Sequence, residues 1–364
     1  MPMMKIFKTF AGILLTISMI LSCSPRDRYI SITGYAQGGT YTVKMNLNGR
    51  NGMIRTSPEV IKESIDSILN DIDNSLSGYN RNSLLSRFNN GEAIQPDSIF
   101  TDIFNHAVRI YDETGGIVDA GSGPLFDLWG FGFKSGDLPS DEKVAEVMKA
   151  CGMKRMFPHI GDGMKQDGTI EGISMLMCEK GKFEGVPPLP TLNYNAIAQG
   201  YSCDLVAEYL YSIGVKDMLV DIGEIFCDGR NPSGQPWSLG IDRPVDGNNE
   251  LGAQLQGIFR APEGPHGIVT SGNYRKFYIR DGKKYAHSID PRTGYPVTHN
   301  LLSATIVAAD GLTADAYATY CMVVGLEESK ELLESRPDLE GCLIYDEDGT
   351  FRTWCSEGFV LEEI

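Results

Sequence analysis

A histidine, a carboxylate, an arginine and several hydroxyls crowd into one stretch, Ala286-His287-Ser288-Ile289-Asp290-Pro291-Arg292-Thr293-Gly294-Tyr295-Pro296-Val297. Its Pro and Gly force tight turns. A histidine can move a proton near neutral pH, and a constrained polar loop suits groups that must be held in place. The plainer reading is a turn whose Asp290 and Arg292 pair with each other. A second stretch follows, Asp310 to Gly325. Thr313 suits a helix N-cap, Gly325 suits a stop, and the small apolar residues between them suit a buried helix. Asp315 and Thr319, four residues apart, then share one face. A carboxylate and a hydroxyl near a buried helix start are the hard oxygens a magnesium ion takes beside a substrate phosphate. Alternatively, Asp315 bonds locally and Thr319 bonds back to the carbonyl four residues earlier.

The elements that must position these groups are bounded by composition. The chain has 364 residues, 42% hydrophobic and 22% charged, with 32 basic and 48 acidic residues and a formal net charge of -16. That describes an ordinary globular protein and argues against a nucleic-acid surface. It also repels phosphates, so handling a pyrophosphate would require a bound cation or local backbone amides.

Residues 1–22 read as a signal peptide. Lys5 and Lys8 precede an apolar run from Phe10 to Leu21 that is too short and wrongly flanked for a standard membrane span. Ile20-Leu21-Ser22-Cys23 resembles a bacterial lipobox, which would make Cys23 the lipidated first residue, 23–30 a tether and 31–364 the folded domain; a plain secretory signal or a weak anchor is the alternative. The expected location is the periplasmic face of a bacterial membrane. Of eight cysteines, the remaining odd number contains no C-x-x-C pair, which argues against a zinc site and a complete disulfide framework. Cys342 and Cys355 fall on adjacent terminal strands and are placed to pair or to stay free.

In chain order, Ser31 to Leu47 reads as two strands around Gln37-Gly38-Gly39. Pro58 to Leu76 reads as an amphipathic helix with Ile61, Ile65, Ile68, Leu69, Ile72 and Leu76 on one stripe. Pro96 to Thr114 reads as a second, with His106 off the stripe and solvated. Ile117 to Leu125 reads as a small-residue loop facing a ligand, Phe126 to Phe133 as a close-packed aromatic wall. Asp141 to Cys151 reads as a short helix, Gly161 to Pro190 as turn-rich β structure. Asn193 to Gly214 opens with amides, carbonyls and a Gly, then runs on as a helix. Short strands follow around Met218 to Gly223, Trp237 to Ile241, Leu255 to Phe259, Arg275 to Ile279, Ser303 to Ala308, Gly341 to Tyr345 and Phe351 to Cys355, with hairpin turns at Asp281-Gly282 and Asp348-Gly349. No regular βαβ period, Gly-x-Gly-x-x-Gly or Walker loop is present. The fold class is α+β, with largely antiparallel sheets and packed helices.

Together these blocks resemble the ApbE family of FAD:protein FMN transferases. The residues that carry the resemblance are Gly38 to Val43, Gly115 to Phe131, Asn193 to Asp204, Leu219 to Gly223 with Pro236-Trp237, Thr270-Ser271-Gly272, His287 to Pro296, and Ala314 to Thr319, in the family's order. The resemblance implies a T-fold-related α+β architecture, FAD as substrate and Mg2+ as cofactor. It implies Asp315 and Thr319 as metal ligands with the Ala196 carbonyl. It places Gln37, Tyr79, Ile117, Val118, Asp119, Asn193, Gln199 and Ile289 at flavin-nucleotide contacts. Gln37 stands where Met is usual, Asn193 where Asp is usual and Gln199 where Lys is frequent.

The implied reaction moves the FMN phosphoryl group of FAD to a Ser or Thr hydroxyl on an acceptor protein and releases AMP, with His287 handling the acceptor proton and Asp315 holding the metal. The implied acceptors are membrane redox subunits bearing an Asp-Gly-x-x-Ser/Thr-Gly-Ala-Thr-type motif, absent from this chain. Two other readings stand beside it: hydrolysis of FAD to FMN and AMP, or a flavin-binding lipoprotein with little turnover.

Overall fold

The computed structural model describes residues 28–92, 94–131, 138–155, 191–245, 248, 252–274, 277–280 and 283–364. The leader with Cys23, the Gly161 to Pro190 segment and the Asp281-Gly282 turn lie outside them.

The chain opens on a hairpin, β1 (Tyr29–Ala36) and β2 (Gly39–Asn46). Its turn residues Gln37 (φ 51°) and Gly38 (φ 82°) are both left-handed, as a type I′ turn requires. A minor hairpin of β3 (Asn48–Gly49) and β4 (Gly52–Met53) follows. Helix α1 (Pro58–Leu76) has the expected bounds: Ser57 caps it, and Ile61, Ile65, Leu69, Ile72 and Leu76 are buried on its stripe, each stabilising by about 1.5–3 kcal/mol. After α2 (Leu84–Asn89), α3 (Ser98–Glu113) starts two residues later than expected, because the Asp97 carboxylate accepts from Phe100 N and fixes the start there. His106 is not simply solvated. It lies against Tyr201 at 6.2 Å between ring centres and 3.8 Å from Asp102.

The Ile117 to Leu125 segment is more ordered than a loop. Asp119 caps a single 3-10 turn, Ala120–Ser122, which runs into α4 (Gly123–Leu128). Helices α5 (Asp141–Met148) and α6 (Ala198–Ser212) follow. The strands are then β5 (Met218–Asp221), β6 (Ile225–Asp228), β7 (Ser238–Asp242), β8 (Leu255–Arg260), β9 (His266–Gly272), β10 (Phe277–Arg280), β11 (Lys283–Ala286), β12 (Ile289–Asp290), β13 (Tyr295–Pro296) and β14 (Leu301–Ala308). Helices α7 (Gly311–Val324) and α8 (Leu326–Ser335) precede β15 (Glu340–Glu347), β16 (Thr350–Cys355) and β17 (Leu361–Glu363). Asp348 (φ 52°) and Gly349 (φ 80°) form the expected turn between β15 and β16.

Eight of these strands form one sheet in the order β1-β2-β5-β6-β9-β14-β15-β16, every neighbouring pair antiparallel. Both faces are covered. Val220, Val269, Ala304, Ile306 and Leu343 face α1, α3, α6, α7 and α8. Their neighbours Leu219, Ile268, Val307, Cys342 and Ile344 face the small sheet β17-β8-β7. The apolar runs read in the sequence are continuous for this reason: alternate residues serve different cores. The α+β class and the antiparallel pairing are as expected.

Candidate active site

The site begins where two helix starts meet. Gly200 of α6 and Gly311 of α7 touch backbone to backbone: a Cβ on Gly200 would lie 2.1 Å from Gly311 O, and one on Gly311 would lie 2.6 Å from Gly200 O. At that contact each helix lends the other a carboxylate. Asp204 of α6 accepts from the Gly311 and Leu312 N–H groups at 2.6 and 2.8 Å. Asp315 of α7 accepts from Gly200 N at 3.1 Å through Oδ2. Each acid thus satisfies orphan amide donors at the other helix's start.

The Ala196 carbonyl lies just before the N-cap Ile197, outside the hydrogen bonding of α6, whose bond to the cap runs from Tyr201 N to Ile197 O at 3.0 Å. Thr319, one turn beyond Asp315, makes no back-bond to the Asp315 carbonyl. Three oxygens of the kind a hard cation takes, from Ala196, Asp315 and Thr319, are therefore left for a ligand. Burial pushes the Asp315 carboxyl up to about 7, opposed by the Gly200 N–H, so a cation there would offset its main electrostatic cost. No cluster of three or more His, Cys, Asp or Glu side chains suited to a metal occurs among the described residues. The donor set thus fits a hard ion completed by its substrate and not a closed all-side-chain centre such as zinc's.

Of the other expected contacts, Gln37, Asn193 and Gln199 are tied to the start of α6 or the segment leading into it. Gln37, at the hairpin tip, donates through Nε2 to Ser202 Oγ of α6 at 2.6 Å. Gln199 donates to the Ile222 carbonyl at 3.3 Å, where β5 ends. Asn193 accepts from Asn195 N at 2.9 Å, while its own N–H bonds the Ala120 carbonyl at 2.8 Å, tying the approach to α6 to the Asp119 turn. Asp119 Oδ1 accepts from Gly121 N at 2.7 Å and Met153 N at 2.9 Å, and burial raises its carboxyl to about 6. The side chains of Ile117, Val118 and Ile289 are buried, so what they offer a ligand is backbone. Tyr79 stands 72% exposed in the loop after α1. That loop reaches Asn193 indirectly, through Asn89 of α2, which exchanges two 2.8 Å bonds with the Leu192 backbone.

The His287 loop lies against α7 through β12. Its plainer reading holds for two residues: Arg292 grips the Asp290 carboxylate through Nε at 3.0 Å and Nη2 at 2.9 Å. Trp129 at the end of α4 donates to the Gly294 carbonyl at 2.8 Å, and β12 packs on α7. The loop is therefore braced from both sides. His287 emerges from it half-buried, its ring edge-on to Phe131 at 6.4 Å.

Sequence reasoning missed two acids. Asp310, not Thr313, caps α7, accepting from Thr313 N at 2.6 Å, and Asp204 holds the same helix start from outside. The Asp310-Gly311 pair before the small-residue run was the available signal for the first. Nothing local marked the second, whose partners lie more than a hundred residues away.

Two helix starts locked together by exchanged carboxylates, on an antiparallel sheet covered on both faces, define an α+β protein. The chain belongs to the ApbE family, whose sequence pattern matches residues 37–343. It is 32% identical over 362 residues to the FAD:protein FMN transferase of Haemophilus influenzae, covering 97% of each chain. It is 33% identical over 307 residues to that of Escherichia coli K12, covering 82% of this chain and 80% of the other. The flavin transferase ApbE from Vibrio cholerae superposes with a TM-score of 0.70 at 28% identity, over 91% of this chain and 98% of that one.

Proposed function

We propose that the protein is an FAD:protein FMN transferase that uses magnesium and modifies a Ser or Thr hydroxyl in an Asp-Gly-x-x-Ser/Thr-Gly-Ala-Thr-type motif of membrane redox subunits. The observation that carries the reading is the bond from Gly200 N to Asp315 Oδ2, which fixes a buried carboxylate of α7 against the start of α6, one turn from Ala196. Asp315, Thr319 and the Ala196 carbonyl would hold the ion. When bound, magnesium would supply charge neutralisation on the pyrophosphate oxygens.

The chain's own groups account for the remaining steps. Gln37, Tyr79, Asp119, Asn193 and Gln199, with the backbone of Ile117, Val118 and Ile289, orient FAD. His287 accepts the proton of the acceptor hydroxyl as that oxygen attacks the FMN phosphorus and the bridging P–O bond breaks, releasing AMP. Cys23 carries the lipid that tethers the enzyme at the periplasmic membrane face; the Ile20 to Cys23 junction behind a basic, apolar leader supports this.

The test mixes purified protein with FAD, Mg2+ and a motif-bearing acceptor. Flavinylated acceptor with AMP is expected. Free FMN with AMP would make the protein a hydrolase, and bound FAD alone would make it a carrier. Asp315→Ala should abolish transfer in a folded protein, and Thr319→Val should raise the magnesium requirement. Wild-type metal dependence in both variants would remove the ion from this site.

A further inference from the structure

We propose that Cys342 and Cys355 form a disulfide across the last hairpin of the main sheet, so that the mature protein carries one covalent staple. The two residues are direct partners in the β15–β16 register. The next pair outward, Gly341 and Ser356, is joined by a backbone bond from Ser356 N to Gly341 O at 2.9 Å. Antiparallel pairs alternate between bonded and non-bonded types, so Cys342 and Cys355 occupy a non-bonded pair. Such pairs hold their Cα atoms about 4.5 Å apart with side chains closest together, inside the roughly 4.4–6.8 Å range that disulfides span. Both side chains lie on the face that packs against the small sheet.

The environment also assigns an order of attack. Cys342 is fully buried, whereas Cys355 is partly exposed on the sheet's edge strand. Cys355 is the thiol a disulfide donor can reach, so it attacks first. Its thiolate displaces one thiolate from a disulfide donor, such as oxidised glutathione or a disulfide-bearing oxidoreductase, and leaves a mixed disulfide. Cys342 then attacks the Cys355 sulfur and releases the second donor thiol. The protein dithiol loses two electrons, the donor disulfide gains them, and both thiol protons end on the donor.

The remaining described cysteines are poor competitors. Cys203, Cys227 and Cys321 are buried, with thiols raised by burial, as is that of Cys151. Since β16 is a sheet edge held within the sheet by β15 alone, the staple would secure the strand most free to peel away.

The experiment treats the purified full chain with oxidised glutathione, blocks free thiols under denaturing conditions and maps peptides by mass spectrometry with and without reductant. A Cys342–Cys355 crosslinked peptide that reduction separates is expected. The wild-type melting temperature should fall by roughly 5 °C on reduction, and that of Cys355→Ser should not respond to reductant. Alkylation of both cysteines after oxidation, a lasting glutathione adduct on Cys355, or pairing with Cys151 would overturn the proposal. If Cys355→Ser does not fold, the wild-type peptide map decides by itself.

Discussion

Replacing Asp119 with Asn should stabilise the protein at neutral pH and leave it unchanged in acid. Asp119 sits in a largely buried turn, where Oδ1 already serves the Gly121 and Met153 amides. Asn keeps that acceptor and removes the charge. Burial lifts the Asp119 carboxyl from 3.8 to about 6 in the folded protein. Below the lower value both folded and unfolded chains are protonated, and the charge costs nothing. Between the two values only the unfolded chain releases its proton, so stability falls as pH rises through that window. Above about 6 the full cost is present. At about 1.36 kcal/mol per pH unit, the window corresponds to about 3 kcal/mol. Urea unfolding followed by tryptophan fluorescence should therefore find Asp119→Asn more stable than wild type by up to about 3 kcal/mol at pH 8, with little difference at pH 4. The same variant should bind FAD more weakly, because a carboxylate kept at this expense is expected to serve a ligand. An equal difference at both pH values would refute the burial argument. So would a variant less stable at pH 8, since the ionised Asp119 would then be stabilising.

His287→Ala should lower the transfer rate by roughly 10²–10⁴-fold while sparing FAD affinity; single-turnover rates and equilibrium FAD binding separate the two, and equal losses would reassign the histidine to binding. Gly200→Ala, a change that favours most helix interiors by about 1 kcal/mol, should instead destabilise by about 3 kcal/mol, since its Cβ would lie 2.1 Å from Gly311 O and 2.9 Å from Asp315 Cβ; an unchanged melting temperature would mean that the helices part easily. Cys23→Ala should release the protein from membranes, and unaltered membrane association on fractionation would remove the lipid anchor.

Much of the fold was legible because single-faced elements write their period into the sequence. The stripe of α1 gave both its ends, and the Asp348-Gly349 pair gave its hairpin turn. Elements buried on all sides carry no such period. Helix α7 is apolar almost throughout, so its start had to be read from capping residues, and Thr313 was chosen over Asp310. Strand β6 was missed because it spans only four residues, and β9 because its apolar stretch is Ile268-Val269 alone, set between Gly267 and Thr270-Ser271-Gly272. In the site, helical spacing was enough to pair Asp315 with Thr319. The partnership of Gly200 with Gly311, and of each carboxylate with the other helix, is tertiary. Local spacing cannot express it.

The glycine contact between α6 and α7 also governs how the site can be entered. With main chain against main chain, and the Asp204 and Asp315 carboxylates bonded across the contact, the two helix starts cannot part without breaking those bonds. On the proposed assignment, traffic of a dinucleotide and of a protein hydroxyl would therefore run over the hairpin tip at Gln37, the loop at Tyr79 and the turn at His287. Those loops can diverge to suit a new acceptor while the spacing of the oxygens proposed to hold the ion stays locked by two residues that have no side chain to vary.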